Sequence, residues 1–173
     1  MNTILESDRR FGVLMFDPVQ GKVASVGCCA EIIQYQRMPD GRMKMFTLGQ
    51  QRFRVLEYVR EKPYRVGLVE WIEDRPTDKD LRLLAAEVKQ QLSDVVHLSA
   101  KLTEQNIELP EDIPALAREL SYWVASNLYG VPSEQQALLE MQDTSARLER
   151  EAEILTSTRN HLAARTALKD ALR

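Results

Sequence analysis

Cysteine is scarce in this chain of 173 residues: Cys28 and Cys29 are adjacent, and there are no others. Neighbouring cysteines close only a strained disulfide, and two thiols fall short of the ligand set of a structural zinc. A disulfide framework and a zinc fold are therefore excluded. The pair reads as two small residues within a strand, in a protein kept in a reducing, cytoplasmic setting. Long apolar runs are missing too, since no stretch approaches the ~20 residues that a membrane span needs. The opening Met1-Asn2-Thr3-Ile4-Leu5 has no basic segment leading into an apolar one, so no secretory signal is read. Nor does one sign of charge dominate. The net charge is −3, divided as +2 over residues 1–75 and −5 over the rest. Neither half offers the strongly basic surface that phosphate backbones favour, which makes nucleic acid an unfavoured partner.

The common catalytic signatures are also absent. No Gly-x-x-x-x-Gly-Lys-Ser/Thr loop is present to cradle a nucleotide phosphate. No Gly-x-Ser-x-Gly elbow and no His-Glu-x-x-His pair occurs. His97 and His161 are the only histidines and fall on different predicted helices, so each reads as packed or solvated rather than catalytic. No catalytic residue, metal ligand or cofactor site is assigned, and a non-enzymatic role is expected.

What is present divides at about residue 75 by hydrophobic period, which makes the domain reading 1–75 β-rich and 76–173 helical. In the first part, Phe11–Phe16 is a short apolar run expected to form a strand buried on both faces. Asp17-Pro18 and Gln20-Gly21 mark a turn. Val23–Arg37 reads as one long bent strand or two, with Gly27 at a bulge. Pro39-Asp40-Gly41 is a strong turn signal that makes a hairpin of Ile32–Met38 and Arg42–Leu48. Gln51–Val59 alternates, with Phe53, Val55, Glu57 and Val59 on one face and Arg52, Arg54, Leu56 and Tyr58 on the other. Tyr64–Ile72 supplies another strand, giving five or six in a small, mostly antiparallel sheet or barrel.

Beyond Pro76 the period is helical. Leu81, Leu84, Val88, Leu92, Val95 and Leu102 form one stripe of a long helix, with Thr77 or Asp78 able to cap it. Residues 103–114, with Pro110 and Pro114, read as a loop. A second helix over 115–129 is expected to end at Gly130. Pro132-Ser133-Glu134 opens a third helix ending near Met141. A last helix runs from about Thr144 to the end, with Leu148, Leu155 and Leu162 at heptad spacing, then Ala163, Ala164, Ala167, Leu168, Ala171 and Leu172. A β-rich half followed by a helical half is an α+β arrangement.

The particular residues carry a resemblance. Ala125-Ser126 followed by a break, the run Glu134, Gln135, Gln136, Leu138, Leu139, Glu140, and then Asp143 leading into Arg147, Leu148 and Glu149 resemble the helical end of the Lon protease amino-terminal domain. Phe11-Gly12-Val13 resembles that family's Phe/Ile-Gly-Val strand, and Gly49-x-x-Arg52-Phe53 its Gly-x-x-Arg-Phe/Ala step. The resemblance covers nearly the whole chain. It implies a β-rich PUA-like pseudobarrel followed by a helical bundle, and a stand-alone recognition module without the ATPase or protease of Lon. It also implies that Met1 corresponds to an internal methionine of the family, so that the family's first strands are missing and an apolar sheet edge is left unpaired.

Three features have a functional reading. Met38, Met43, Met45 and Phe46 around the predicted hairpin form a candidate polypeptide contact, because methionine adapts to many partners; alternation favours a core face for Met43 and Met45 instead. Arg42, Lys44, Arg52, Arg54, Arg60, Lys62 and Arg65 form a basic series interrupted by Glu57, Glu61 and Glu70, read as a solvated sheet face. In the Gln135–Glu140 run, Leu138 and Leu139 are expected to pack inward while Glu134 or Glu140 pairs with a base. The resemblance implies that unfolded or degron-like polypeptide binds in an apolar cleft between the two parts or along a sheet edge, with a protease or chaperone machine as partner. An RNA-binding PUA-like module is the alternative, and a small hydrolase with no sequence signature the third reading.

Overall fold

The structure, a computed structural model, describes residues 2–128 and 130–171. It separates into two compact units, Met1–Glu73 and Asp74–Arg173. The first holds a short helix α1 (Asn2–Leu5) and the strands β1 (Arg10–Asp17), β2 (Lys22–Arg37), β3 (Met43–Arg60) and β4 (Val66–Ile72). Every neighbouring pair is antiparallel and the sheet order is β1-β2-β3-β4, a meander with β1 and β4 at its edges. The five or six strands expected are thus four among the described residues. Val23–Arg37 stays one strand, and the segments on either side of Gly49 fuse into β3, because Gly49 pairs with Ala30 in the middle of the ladder.

Three further expectations for this unit are corrected. No residue of β1 is fully buried, because it is an edge strand with a neighbour on one side only. The alternation of Gln51–Val59 does not persist. Irregular register between Val55 and Glu57, and again between Tyr58 and Arg60, flips the side chains that follow. Arg52, read as part of a solvated basic face, is buried in the middle of the sheet opposite Cys28 and Ile72.

Glycine decides the packing at one place. The Phe53 ring lies over Gly12 and Gly27, and a Cβ on Gly12 would sit 2.7 Å from the ring's Cζ. Phe53 can be buried only because those two positions carry no side chain. At the hairpin turn, Gly41 has φ +83°, which explains why the Pro39-Asp40-Gly41 signal was decisive.

The second unit comprises α2 (Arg82–Thr103), α3 (Ala117–Ser126), α4 (Pro132–Glu140) and α5 (Thr144–Ala171). Its core joins Val88 and Leu92 of α2, Leu120 and Val124 of α3, Leu138 of α4, and Leu148 and Leu155 of α5. The side chains of α2 and α5 meet in increasing order along both helices: Gln91 with Thr156, Asp94 with Arg159, Lys101 with Asp170. The two long helices therefore run parallel, and α3 and α4 make the return.

Helix α2 begins at Arg82, whose N–H donates to Asp80 Oδ1 at 3.1 Å, while Leu81 at the cap position has no side-chain oxygen to offer. Thr77 accepts instead from the Lys79 N–H at 3.2 Å in a turn ahead of the helix, and Arg75 N–H donates to the Gln142 carbonyl at 2.8 Å. Helix α3 stops at Ser126, earlier than expected, since Asn127 turns back through its N–H to the Val124 carbonyl. Gly130, with φ +86°, serves the following turn instead. Helix α5 starts at Thr144, where the Asp143 carboxylate accepts from the N–H groups of Ser145 and Ala146. Leu172, the end of the expected alanine-rich stripe, lies outside the described residues, as does Tyr129.

Candidate functional site

Two concave places lie in the β unit. The first is at the β2–β3 hairpin tip, about 640 Å³ in volume and lined by Arg37, Met38, Pro39, Gly41, Arg42, Met43 and Met45. Met43 stands opposite Arg37, and Met45 opposite Tyr35, so these four share one sheet face. The methionines are half-buried and are not among the buried core residues, contrary to the core reading. Phe46 is not with them. It pairs with Gln34 on the opposite face and is 70% exposed.

The second place is about 280 Å³, lined by Asp8, Arg10, Phe11, Gly12, Cys29, Phe53, Val69 and Trp71. Phe53 and Trp71 are paired across β3 and β4, with ring centroids 6.4 Å apart and planes at 89°, an edge-to-face contact. Trp71 is 53% exposed, whereas Phe53 and Cys29 are buried beneath. Arg10 donates to Glu31 at 3.0 Å, and Asp8 accepts from the Arg10 N–H. Burial pushes the Cys29 thiol up; Arg10 opposes this, while Asp8 and Glu31 add to it. Sequence reading missed this pocket, because its members come from all four strands and the turn before β1. The two family-motif pairs Phe11-Gly12 and Arg52-Phe53 were the available signal. Gly49, the remaining motif residue of this unit, lies near Cys28 Sγ and away from the pocket.

The motif residues of the helical unit build a polar cluster rather than a cleft. Arg147 is fully buried. It grips Asp74 through both terminal nitrogens, donates through Nε to Ser121 at 2.8 Å and through Nη1 to the Met141 carbonyl at 2.9 Å. Its guanidinium stacks 4.0 Å from the centre of the Tyr122 ring. Tyr122 and Thr144 hydroxyls also donate to Asp74. Although burial raises the Asp74 carboxyl, these donors and the Arg147 charge hold it down at about 2. Leu148 is buried in the core, Leu138 likewise, and Leu139 is half-buried. Glu134 pairs with Arg150, and Gln136 donates to Glu140. The Ala125 carbonyl accepts from Gln135, tying α3 to α4. Neither Asp74 nor Tyr122 was singled out from sequence.

Glu151 stands one turn beyond Arg147 on α5. It is fully buried, and neither carboxylate oxygen has a hydrogen-bond partner. Loss of solvent pushes its carboxyl up to about 8, against the pull of Arg147. His97 on α2 and His161 on α5 are both exposed. Among the described residues, no group of three or more His, Cys, Asp or Glu is placed to hold a metal, and no helix is long and apolar enough to cross a membrane.

An antiparallel sheet unit followed by a helical unit held by a buried arginine lock defines an α+β domain. The ATP-dependent protease La (LON) substrate-binding domain family matches residues 1–157, and the chain belongs to that family. It is 29% identical over 161 residues to the Lon protease of Trichlorobacter lovleyi, covering 91% of this chain and 19% of that protein. It is 30% identical over 148 residues to the Lon protease of Anaeromyxobacter dehalogenans, covering 84% and 17%. The chain thus spans about a fifth of the length of these relatives, and the match falls in their substrate-binding domain. In fold it is similar to a Lon N-terminal domain protein from Xanthomonas campestris, with TM-score 0.58, 24% identity, and coverage of 86% of this chain and 78% of that one. The N-terminal domain of the Mycobacterium avium complex Lon protease gives TM-score 0.57 at 18% identity, covering 86% and 77%.

Proposed function

We propose that this chain is a non-catalytic polypeptide-binding module, acting in a reducing cytoplasm as an adaptor that presents unfolded or degron-bearing segments to a protease or chaperone machine. The observation that carries this reading is the apolar surface of the β unit. Ile33, Phe46, Leu48, Leu56, Val59, Leu68 and Trp71 are each more than half exposed on one small sheet, where isolated apolar residues would be ordinary but such a density is not. The methionines of the hairpin add a compliant surface, and the open edges of β1 and β4 can accept an extended chain through main-chain hydrogen bonds.

A second reading, RNA binding by a PUA-like module, draws on the β3–β4 turn. There Arg60 lies over Tyr64 and Arg65 over Tyr58. Those guanidinium groups occupy the ring faces on which bases would stack, and Arg54 is matched by Glu70 at 3.7 Å. Polypeptide is therefore favoured. The test is fluorescence anisotropy with a labelled unfolded peptide and a labelled RNA at two salt concentrations. Peptide binding that tolerates salt is expected; tight RNA binding that falls steeply with salt, without peptide binding, would replace this reading with the second.

A further inference from the structure

We infer that the pocket between Phe53 and Trp71 takes the first residue of a polypeptide, a bulky apolar side chain bearing a free α-ammonium. The inference rests on the polypeptide-binding reading and specifies which part of the client is held. The pocket is graded in polarity from bottom to mouth. Its buried members are Phe53 and Cys29, and above them stands the half-exposed Trp71. Its charged members, Asp8 and Arg10, are both exposed. A volume of about 280 Å³ suits one large side chain and excludes a folded element.

The charge at the mouth selects among ligands. Arg10 is already matched by Glu31 at 3.0 Å. Asp8 and Arg10 are the charged residues among those lining the pocket. With Arg10 paired to Glu31, the carboxylate of Asp8 is the charge that the lining presents to a ligand, and it favours a cation. An internal apolar residue brings no charge. A lysine or arginine would place its charge at the far end of the side chain, against Phe53 and the Cys29 thiol, where desolvation opposes it. A free amino-terminal residue has the matching order, with the ammonium at the mouth and the apolar group below. A charge-assisted hydrogen bond to the Asp8 carboxylate would anchor it, and the edge-to-face aromatic pair would hold the side chain.

The experiment uses the intact chain and peptides labelled at their carboxyl ends, identical except at the first residue. Phe-first and Leu-first peptides with free amines are expected to bind about tenfold more tightly than their acetylated forms and than a Gly-first peptide. Asp8→Asn should erase the difference between free and acetylated peptides and leave the acetylated affinity unchanged, which also reports an intact fold. Trp71→Ala should weaken the Phe-first peptides in both forms. Equal binding of free and acetylated peptides by the unaltered chain, or a preference that survives Asp8→Asn, overturns the inference and leaves general polypeptide binding standing. Binding of an amino-blocked denatured protein with no binding of any short peptide likewise overturns only the pocket assignment. Failure to bind any of these polypeptides overturns both readings.

Discussion

Glu151 should make the helical unit lose stability as the solution turns alkaline. In the unfolded chain its carboxyl titrates near the ordinary 4.5, whereas in the fold loss of solvent moves it to about 8. The sign follows from the proton count. Below the lower value both states hold the proton and the residue is neutral to folding. Between the two values the unfolded chain has released a proton that the folded chain keeps, so each pH unit costs about 1.4 kcal/mol of stability. Above about 8 both states are ionised and the penalty levels off at about 5 kcal/mol, with about 3 kcal/mol already lost at neutral pH. Urea unfolding followed by far-ultraviolet circular dichroism reads this directly, since the long helices all lie in one unit. The comparison is between the natural chain, Glu151→Leu and Glu151→Gln from about pH 5 to about pH 9. Leucine should become progressively more stable than glutamate across that range. Glutamine leaves a buried amide unsatisfied at a fixed cost of about 1–3 kcal/mol, so its curve should be displaced but share leucine's slope. If the glutamate and leucine chains run parallel across the range, the buried carboxyl is finding a partner or water, and the reasoning fails.

Arg147→Met should cost about 3–5 kcal/mol by stranding Asp74 in the interior, and Asp74→Asn should cost less because an amide can still be held by Tyr122 and Thr144; thermal midpoints would rank them. The same pair predicts an acid limb. Asp74 is held at about 2 against an ordinary 3.8, so about 2 kcal/mol of stability present above the ordinary value should vanish as pH falls through about 2, and Asp74→Asn should abolish that limb. Gly12→Ala should cost about 1–3 kcal/mol, since its methyl would meet Phe53 Cζ at 2.7 Å, and paired Phe53→Leu should recover part of it in denaturant titrations. Met43→Ser with Met45→Ser should weaken capture of an unfolded peptide severalfold while shifting the thermal midpoint little, because both side chains are only half-buried. Purified chain mixed with ATP or casein should give no turnover above a mock preparation, the phosphate loop being absent.

The division into strand and helix was legible because the apolar period changes at about Pro76, and local turn chemistry at Gly41 and Pro132 fixed two boundaries well. Strand count was not legible. Gly49 looks like punctuation in sequence, yet pairing to Ala30 carries the ladder straight through it. Helix α2 began later than its cap residues suggested, with Asp80 rather than Thr77 or Asp78 accepting from its first amide, and no local pattern reports that Asp74 and Arg75 just before it are held by groups about seventy positions away. The candidate site was half legible. Methionines at alternate positions marked the hairpin surface, but alternation cannot say whether a face will be covered. The pocket of Phe53 and Trp71 depends on register across four strands, and Asp8 gains meaning only once Gly12 and Cys29 are brought beside it.

The parallel course of α2 and α5 sets an order for synthesis. The β unit pairs each strand with the next, so its hairpins can close while the ribosome is still at work. Helix α2 gets only a small part of its cover from the next helix, α3, and most of it from α5. Its partners Thr156, Arg159 and Asp170 emerge about 65 to 70 residues after Gln91, Asp94 and Lys101. At about 5–20 residues per second that interval is about 3–14 s, during which Val88 and Leu92 lack the cover of Leu148 and Leu155 on a nascent chain. Under the proposed role, the chain would display in the first seconds of its own life the kind of unshielded apolar stripe that it is proposed to bind.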